Sequence, residues 1–210
     1  MIFYREVKKE DLKKVSKLYA QAFKEYCYIK CTVGNNFNND DKYLHFLEML
    51  FFINIKAYMK KHICLVGILD GKIVSSAVLK NPDRSEIGLF EYIFSGGIKL
   101  LKEISLLNIL SFLNFMDDSQ KAFKSIRRPI WYLEALAVDK LYQGKKLGSK
   151  MINDCVIPCV IDHGGKEIFL ITNSEINRKF YTQNGFAEFS DDVIHFKNIN
   201  INNWSYFKKL

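Results

Sequence analysis

Residues 131–149 read Trp-Tyr-Leu-Glu-Ala-Leu-Ala-Val-Asp-Lys-Leu-Tyr-Gln-Gly-Lys-Lys-Leu-Gly-Ser. The run up to Val138 has the apolar and aromatic make-up of a strand. A helix starts around Leu147, so the residues between must turn the chain from one element into the other. Gly144 and Gly148 permit positive φ or close backbone approach to a bound group. Successive N–H groups at a helix start form an anion site, and the helix dipole reinforces it. Lys145 and Lys146 add two positive charges. Together these features describe a pyrophosphate cradle. A P-loop is excluded because Gly148 is followed by Ser149-Lys150, which breaks the required spacing. The dinucleotide fingerprint G-x-G-x-x-G near a first strand is absent. What remains is Gln143-Gly-Lys-Lys-Leu-Gly148.

The rest of the chain predicts a mixed α/β sheet. Ile2 to Val7 reads as an opening strand. A helix begins at Glu10 and Asp11, with Leu12, Val15, Leu18, Tyr19, Ala22 and Phe23 at helical spacing. Residues 30–41 are rich in Asn, Gly and Asp and read as a loop, and Tyr43 to Lys60 reads as a helix. Ile63 to Leu69 and Ile73 to Leu79 form a hairpin across Asp70-Gly71. Ser85 to Ser125 reads as two or three helices broken by Gly96-Gly97, an insertion too small and apolar to stand alone. Ile130 to Val138 is a strand. Leu147 to His163 is a helix that Pro158 should kink or interrupt. Ile168 to Thr172 is a buried strand, Ile176 to Gln183 a short helix, and Val193 to Phe196 and Trp204 to Lys208 the closing strands. The 210 residues, 49% hydrophobic and 14% aromatic, suit a single domain over 1–210 with an insertion at about 85–125.

The formal charge is +8, from 31 Lys and Arg against 23 Asp and Glu. Such an excess favours anionic partners. The lysines are spread along the chain, and neither a like-charge block nor a recognised motif reads as nucleic-acid binding. Five cysteines, an odd number without a C-x-x-C pair, argue against a disulfide framework and for a reducing, cytoplasmic setting. Residues 1–20 carry no signal-peptide core. The most apolar stretch, Ile104 to Met116, is too short for a membrane span and meets Glu103, Lys102 and Lys99 on its N-terminal side.

The cradle resembles the acetyl-CoA loop of the GNAT N-acetyltransferase superfamily, [QR]-x-x-G-x-[GA] after a strand ending in Leu-x-Val. Leu136-Ala-Val138 and Gln143 to Gly148 match it, with Lys146 where the central Gly usually stands. Downstream, Asn177-Arg-Lys-Phe-Tyr181-Thr-Gln-Asn-Gly-Phe186 resembles the superfamily's N-x-x-x-[YF]-x-x-x-G-F helix and turn. The layout is most similar to the puromycin N-acetyltransferase branch, through the helical insertion and through Pro129, Trp131, Pro158 and Trp204. The resemblance implies a mixed, mostly antiparallel sheet flanked by helices. It also implies an acetyl-CoA-dependent enzyme that passes an acetyl group directly to a primary amine of a small molecule, without a metal, as a monomer or a homodimer.

The same resemblance implies the site. Leu136, Ala137 and Val138 would offer backbone groups to pantetheine, with the Val138 N–H as oxyanion donor. Gln143, Gly144, Lys145, Lys146, Leu147, Gly148 and Ser149 would hold the pyrophosphate. Tyr181 would protonate the departing sulfur, and Asn177, one turn earlier on the same face, would contact the cofactor. Glu134 lies two residues before Leu136 on the strand, so the two share a face, and Glu134 is the candidate general base; an ion-paired strand carboxylate is the competing reading. Phe23, Tyr26 and Tyr28 would border the acceptor; ordinary core and loop packing is the competing reading.

Cys155, Cys159 and His163 lie at i, i+4 and i+8, yet these positions also form the apolar stripe of their helix, and core packing is favoured over a metal face. Three other functions compete. A protein or peptide N-acetyltransferase predicts an open acidic groove, whereas a small-molecule enzyme predicts a closed pocket lined by the insertion. A non-catalytic acyl-CoA-binding module is kept open by Lys146. A basic nucleic-acid binder predicts a contiguous Lys/Arg face and steep salt dependence.

Overall fold

The computed structural model describes residues 1–210. Its frame is a seven-stranded sheet in the order β1-β2-β3-β4-β5-β7-β6. The strands are β1 (Phe3–Glu6), β2 (Ile63–Leu69), β3 (Lys72–Lys80), β4 (Trp131–Val138), β5 (Glu167–Thr172), β6 (Ala187–Phe196) and β7 (Ile199–Lys209). Every neighbouring pair is antiparallel except β4 and β5. The β2–β3 hairpin turns at Asp70 and Gly71 with φ of 50° and 74°. Both residues are left-handed, which matches the twist of the strands they join.

One face of the sheet is covered by α1 (Leu12–Phe23), α2 (Cys27–Thr32) and α3 (Asp40–Tyr58), and by two helices of the expected insertion, α4 (Leu89–Ser95) and α5 (Leu106–Ser119). Val15, Tyr19, Phe46, Leu47, Ile55 and Phe115 are buried together there. The other face is covered by α6 (Leu147–Met151), a π-helical turn (Ile152–Val156), α7 (Ile157–Asp162) and α8 (Glu175–Gln183). Met151, Ile152, Cys155, Val156 and Val160 pack there against Trp131 and Leu133. Cys155 is thus a core residue. The π turn directly precedes Pro158, which has no N–H to give Asp154 in a regular helix; the wider turn absorbs that loss without ending the rod.

Two stretches differ from the sequence expectation. Residues 30–41 are not all loop: α2 extends to Thr32 and a 3-10 turn covers Gly34–Asn36. Burial of Tyr28, Ile29 and Thr32 carries α2 up to the Gly- and Asn-rich residues that begin at Gly34. The last two strands are also much longer than expected. In β6 most positions face solvent, and polar residues such as Glu188, Asp191 and Asp192 hide the apolar alternation.

The start of α1 is tied to β1. Asp11 accepts two hydrogen bonds from Arg5, at 2.6 and 3.1 Å, and one from the Lys8 N–H at 2.8 Å. The Arg5 hydrogen bonds hold the Asp11 carboxyl below its ordinary range, with the Lys8 N–H adding to them. A depressed carboxyl stabilises the fold above its unfolded pKa and ceases to do so as pH falls through its folded pKa. Asp11→Asn is therefore expected to cost about 2 kcal/mol at neutral pH. In urea titrations that difference from wild type should shrink below about pH 4.

Candidate active site

β4 and β5 pair only at Trp131↔Ile168 and Tyr132↔Phe169. Beyond these residues each strand continues with its other neighbour alone, β4 with β3 as far as Val138↔Ser75 and β5 with β7 as far as Thr172↔Trp204. The two strands therefore part and leave an opening in the middle of the sheet. Which backbone groups face it follows from the register. The Asp139 N–H bonds to Val74 O at 2.9 Å. In an antiparallel ladder every second residue makes such bonds, so Ala137 and Ala135 also turn to β3. Leu136 and Val138 turn the other way, into the opening. This corrects one expectation: of the three residues Leu136, Ala137 and Val138, the backbone of Ala137 is committed to β3.

The loop after β4 begins with Gln143, whose side-chain amide donates to Val138 O at 3.1 Å. Gly144 then takes φ of 75° and Lys146 φ of 59°. Lys146 thus adopts the left-handed turn itself at the place where glycine is usual. Among the backbone hydrogen bonds outside regular elements, Gln143 N–H bonds to Lys140 O at 3.4 Å and Lys150 N–H to Lys146 O at 3.0 Å; none is donated by Gly144 to Ser149. Those amides gather where α6 begins, the arrangement that suits a phosphate. A Cβ on Gly148 would lie 3.0 Å from Phe180 Cζ, so this helix start packs directly on α8. A left-handed non-glycine residue costs roughly 1–2 kcal/mol, and glycine's extra unfolded entropy offsets about half of that. Lys146→Gly is therefore expected to raise unfolding stability by about 0.5–1 kcal/mol, measurable in urea.

Beside the opening lies a cavity of about 160 Å³. Leu136, Glu134, Asn177 and Tyr181 all line it, as do Phe23, Tyr26 and Tyr28. The structure therefore brings the acceptor-side residues of the sequence reading together with Tyr181 and β4. Phe112, Met116, Ser119 and Gln120 also line it, so the insertion supplies part of the wall. Tyr26 anchors the segment after α1 to the end of β5: its hydroxyl accepts from the Asn173 N–H at 2.9 Å and lies 3.4 Å from Thr172 Oγ1. The aromatic wall is interlocked, with Phe23 and Tyr26 edge-on at 5.3 Å and Tyr28 5.3 Å or closer to no ring but Phe115, at 4.7 Å. Burial raises the Tyr181 hydroxyl above its ordinary pKa, as does the neighbouring Tyr26, so the phenol keeps its proton across the neutral range. No group of the chain hydrogen-bonds to it.

Glu134 differs in phase from the sequence expectation. The β3–β4 register shifts between Val78↔Ala135 and Leu79↔Leu133, which leaves Glu134 at a bulge. Trp131 and Leu133 pack on the α6–α8 side and so does Leu136, whereas Ala135 and Ala137 pack on the α1–α3 side. The extra residue breaks the simple alternation, so Glu134 and Leu136 do not share a face in the expected way.

Lys80 is the partner that sequence reasoning missed. Its Nζ lies 3.7 Å from Glu134 Oε2 and 3.1 Å from Glu86 Oε2. Burial alone would lower the Lys80 pKa, but Glu134 and Glu86 together hold it above its usual value. Glu134 Oε2 is itself buried and makes no direct hydrogen bond. A lysine ending the apolar run Ala77-Val-Leu79 is the signal available in the sequence, but its partner is set by strand register. Removing Lys80 would leave a buried carboxylate without a counter-charge, a loss of about 3–5 kcal/mol. Lys80→Met is thus expected to lower unfolding stability by about 3 kcal/mol or more. Glu134→Gln should cost distinctly less, because Lys80 keeps Glu86. Parallel denaturant titrations check the order.

Residues 108–188 match the model of the acetyltransferase (GNAT) domain. No curated protein matches the chain by sequence. Several solved structures share its shape. One is a histone acetyltransferase HPA2 and related acetyltransferase from Corynebacterium glutamicum, with a TM-score of 0.66 and 19% identity over 99% of this chain and 95% of that one. Another is a polyamine N-acetyltransferase from Drosophila melanogaster that forms N-acetylagmatine, with a TM-score of 0.60 and 13% identity over the whole of both chains. A third is the PaiA N-acetyltransferase from Thermoplasma acidophilum in complex with coenzyme A, with a TM-score of 0.53 and 14% identity over 100% of this chain and 99% of that one. At such identities the likeness is one of fold. With the parted strands, the amide loop and the matched segment in one place, this chain has the GNAT fold, and its residues 108–188 resemble the GNAT acetyltransferase domain.

Proposed function

We propose that the protein is an acetyl-CoA-dependent N-acetyltransferase whose acceptor is a primary amine of a small molecule. The observation that carries this reading is the continuity of three features: the amide loop at Gly144–Ser149, the opening between β4 and β5, and a cavity partly walled by α5. A protein substrate calls for an open acidic groove; the wall supplied by Phe112 and Met116 favours a small acceptor instead.

The residues present fit the co-substrate. Six amides without backbone partners and two lysines suit a pyrophosphate. Leu136 and Val138 turn backbone groups into the opening where pantetheine would lie. Bound acetyl-CoA would supply an acetyl thioester. The Val138 N–H would donate to the thioester oxygen as negative charge develops there. Glu134, directly or through one water, would take a proton from the acceptor nitrogen. Tyr181 would give its proton to the departing sulfur. The N–C bond forms as the C–S bond breaks, and the proton accepted at Glu134 balances the one donated by Tyr181. No metal is needed for this chemistry. One molecule of this chain contains every residue named.

Calorimetric titration of the purified protein with acetyl-CoA tests the first step. Saturable binding near one molecule per chain is expected. Absence of binding to folded protein up to millimolar acetyl-CoA would remove the reading.

A further inference from the structure

We propose that Cys27 and Cys31 form a dithiol modification site. It closes to a disulfide within α2 by exchange with a low-molecular-weight disulfide such as oxidised glutathione. Neither cysteine takes part in the proposed acetyl transfer, so the two readings stand or fall separately.

Cys27 and Cys31 stand four residues apart on α2, so their side chains leave the same face one turn apart. Their sulfurs lie 3.2 Å from each other. Cys27 is exposed and Cys31 is half-buried. Spacing alone does not produce this pairing. Cys155 and Cys159 are also four apart, but Cys159 Sγ lies 4.0 Å from His163 Nδ1 and Cys155 is buried. An accessible sulfur with a second sulfur beside it is the arrangement of a redox-sensitive cysteine and its resolving partner.

The exchange needs only the small disulfide as co-reactant. The Cys27 thiolate attacks one of its sulfurs, its S–S bond breaks, and one small thiol departs with the proton that Cys27 gave up. Cys31 then loses its proton and attacks the Cys27 sulfur. The mixed S–S bond breaks, and the second small thiol leaves with that proton. Two cysteine thiols are oxidised by two electrons, and one small disulfide is reduced to two thiols. Burial pushes the Cys31 thiol up to about 11, and the neighbouring Cys27 adds to that. Held in the mixed disulfide, Cys27 carries no charge and no longer opposes the Cys31 thiolate, which Lys30 favours throughout.

Closure moves part of the cavity wall. Residues four apart on a helix hold their Cβ atoms about 5–6 Å apart, whereas a disulfide holds them about 3.8 Å apart. α2 must therefore tighten by about 1–2 Å. Tyr28 and Ile29 lie between the two cysteines, and both line the cavity beside β4. Tyr28 also packs on Phe115 of α5 at 4.7 Å. Tightening weakens the regular bonds of the helix start, among them the one that the Lys30 N–H donates to Tyr26 O at 2.9 Å. A strained, exposed disulfide is readily reduced again, so the modification is reversible.

The test treats reduced, purified protein with oxidised glutathione at mildly alkaline pH, blocks free thiols and maps the products by mass. Trypsin cuts after Lys24, Lys30 and Lys42, so peptides 25–30 and 31–42 stay joined after digestion only through a Cys27–Cys31 bond. The joined pair is expected as the main product of wild type. Cys31→Ser should stop at the mixed disulfide and carry about tenfold more glutathione on Cys27 than wild type does. In the closed protein the Lys30 amide should exchange with deuterium about threefold faster than in the reduced protein. Phenylarsine oxide, which bridges two neighbouring thiols, reads the pair without oxidation. One equivalent should resist excess monothiol in wild type and be lost in Cys27→Ser. Stable glutathione on Cys27 of wild type without joined peptides would overturn the proposal. So would folded wild type that retains no phenylarsine oxide. Unchanged Lys30 exchange in the closed protein would overturn the link to the cavity wall.

Discussion

Gly148→Glu is expected to abolish measurable acetyl-CoA binding, a loss of at least about 100-fold, or about 2.8 kcal/mol. Two physical effects act together. A Cβ at this position meets Phe180 Cζ at 3.0 Å and Cε2 at 3.3 Å, so the helix start must move away from α8. The carboxylate then places negative charge among the amides proposed to receive a pyrophosphate, where like charge repels the ligand. Gly148→Ala separates the two effects. It adds the steric part alone, and Phe180 is half-buried and can give way. Its affinity loss should be no more than about tenfold. Calorimetric titration of both variants, with circular dichroism to establish folding, measures the difference. If Gly148→Glu binds acetyl-CoA as wild type does, the loop is not the cradle.

Tyr181→Phe is expected to lower kcat by about 10²–10⁴-fold, equivalent to roughly 3–5 kcal/mol of transition-state stabilisation. Acetyl-CoA affinity should stay within a few-fold of wild type. The variant should also fold. No group of the chain depends on the Tyr181 hydroxyl for a hydrogen bond, and the ring keeps its edge-on contacts with Phe180 at 5.2 Å and Phe186 at 5.6 Å. A purely structural role would produce the opposite pattern, with unfolding stability lowered and kcat little changed. Comparing kcat, acetyl-CoA affinity and urea stability in one variant therefore separates a proton donor from a packed aromatic.

The parts of this protein that could be read from sequence are those whose chemistry is local. Asp70-Gly71 dictates a hairpin because two adjacent residues must both take positive φ. Gln143 to Gly148 announces an anion loop because glycines, lysines and a helix start stand side by side. Pro158 announces an interruption because it lacks one donor, although only the structure reveals that the helix responds with a π turn and not an end. The parts that could not be read depend on partners far away in the chain. The bulge at Glu134 is set by how β4 registers with β3, and that register also decides that Ala137 bonds to β3 while Leu136 and Val138 turn to the opening. Lys80 meets Glu134 across 54 positions of sequence through the same pairing. The role of α5 as a pocket wall was open for a similar reason: its hydrophobicity demands burial but does not say against which surface. In β6 the signal was hidden by polar residues on the exposed face, and the last turn of α2 by the Gly- and Asn-rich stretch that follows it.

The cradle, the parted strands and the aromatic cavity beside them support the proposal that the chain transfers an acetyl group and does not merely hold the cofactor. Mass analysis of reactions containing purified wild-type protein, acetyl-CoA and one-ring, two-ring or polyamine acceptors tests that proposal most directly. The account predicts an N-acetylated amine and free coenzyme A in equal amounts, formed well above the rate without protein and suppressed in Tyr181→Phe. Saturable acetyl-CoA binding with no acetylated amine above that background, across all these acceptors, would contradict it and leave a binding module in its place.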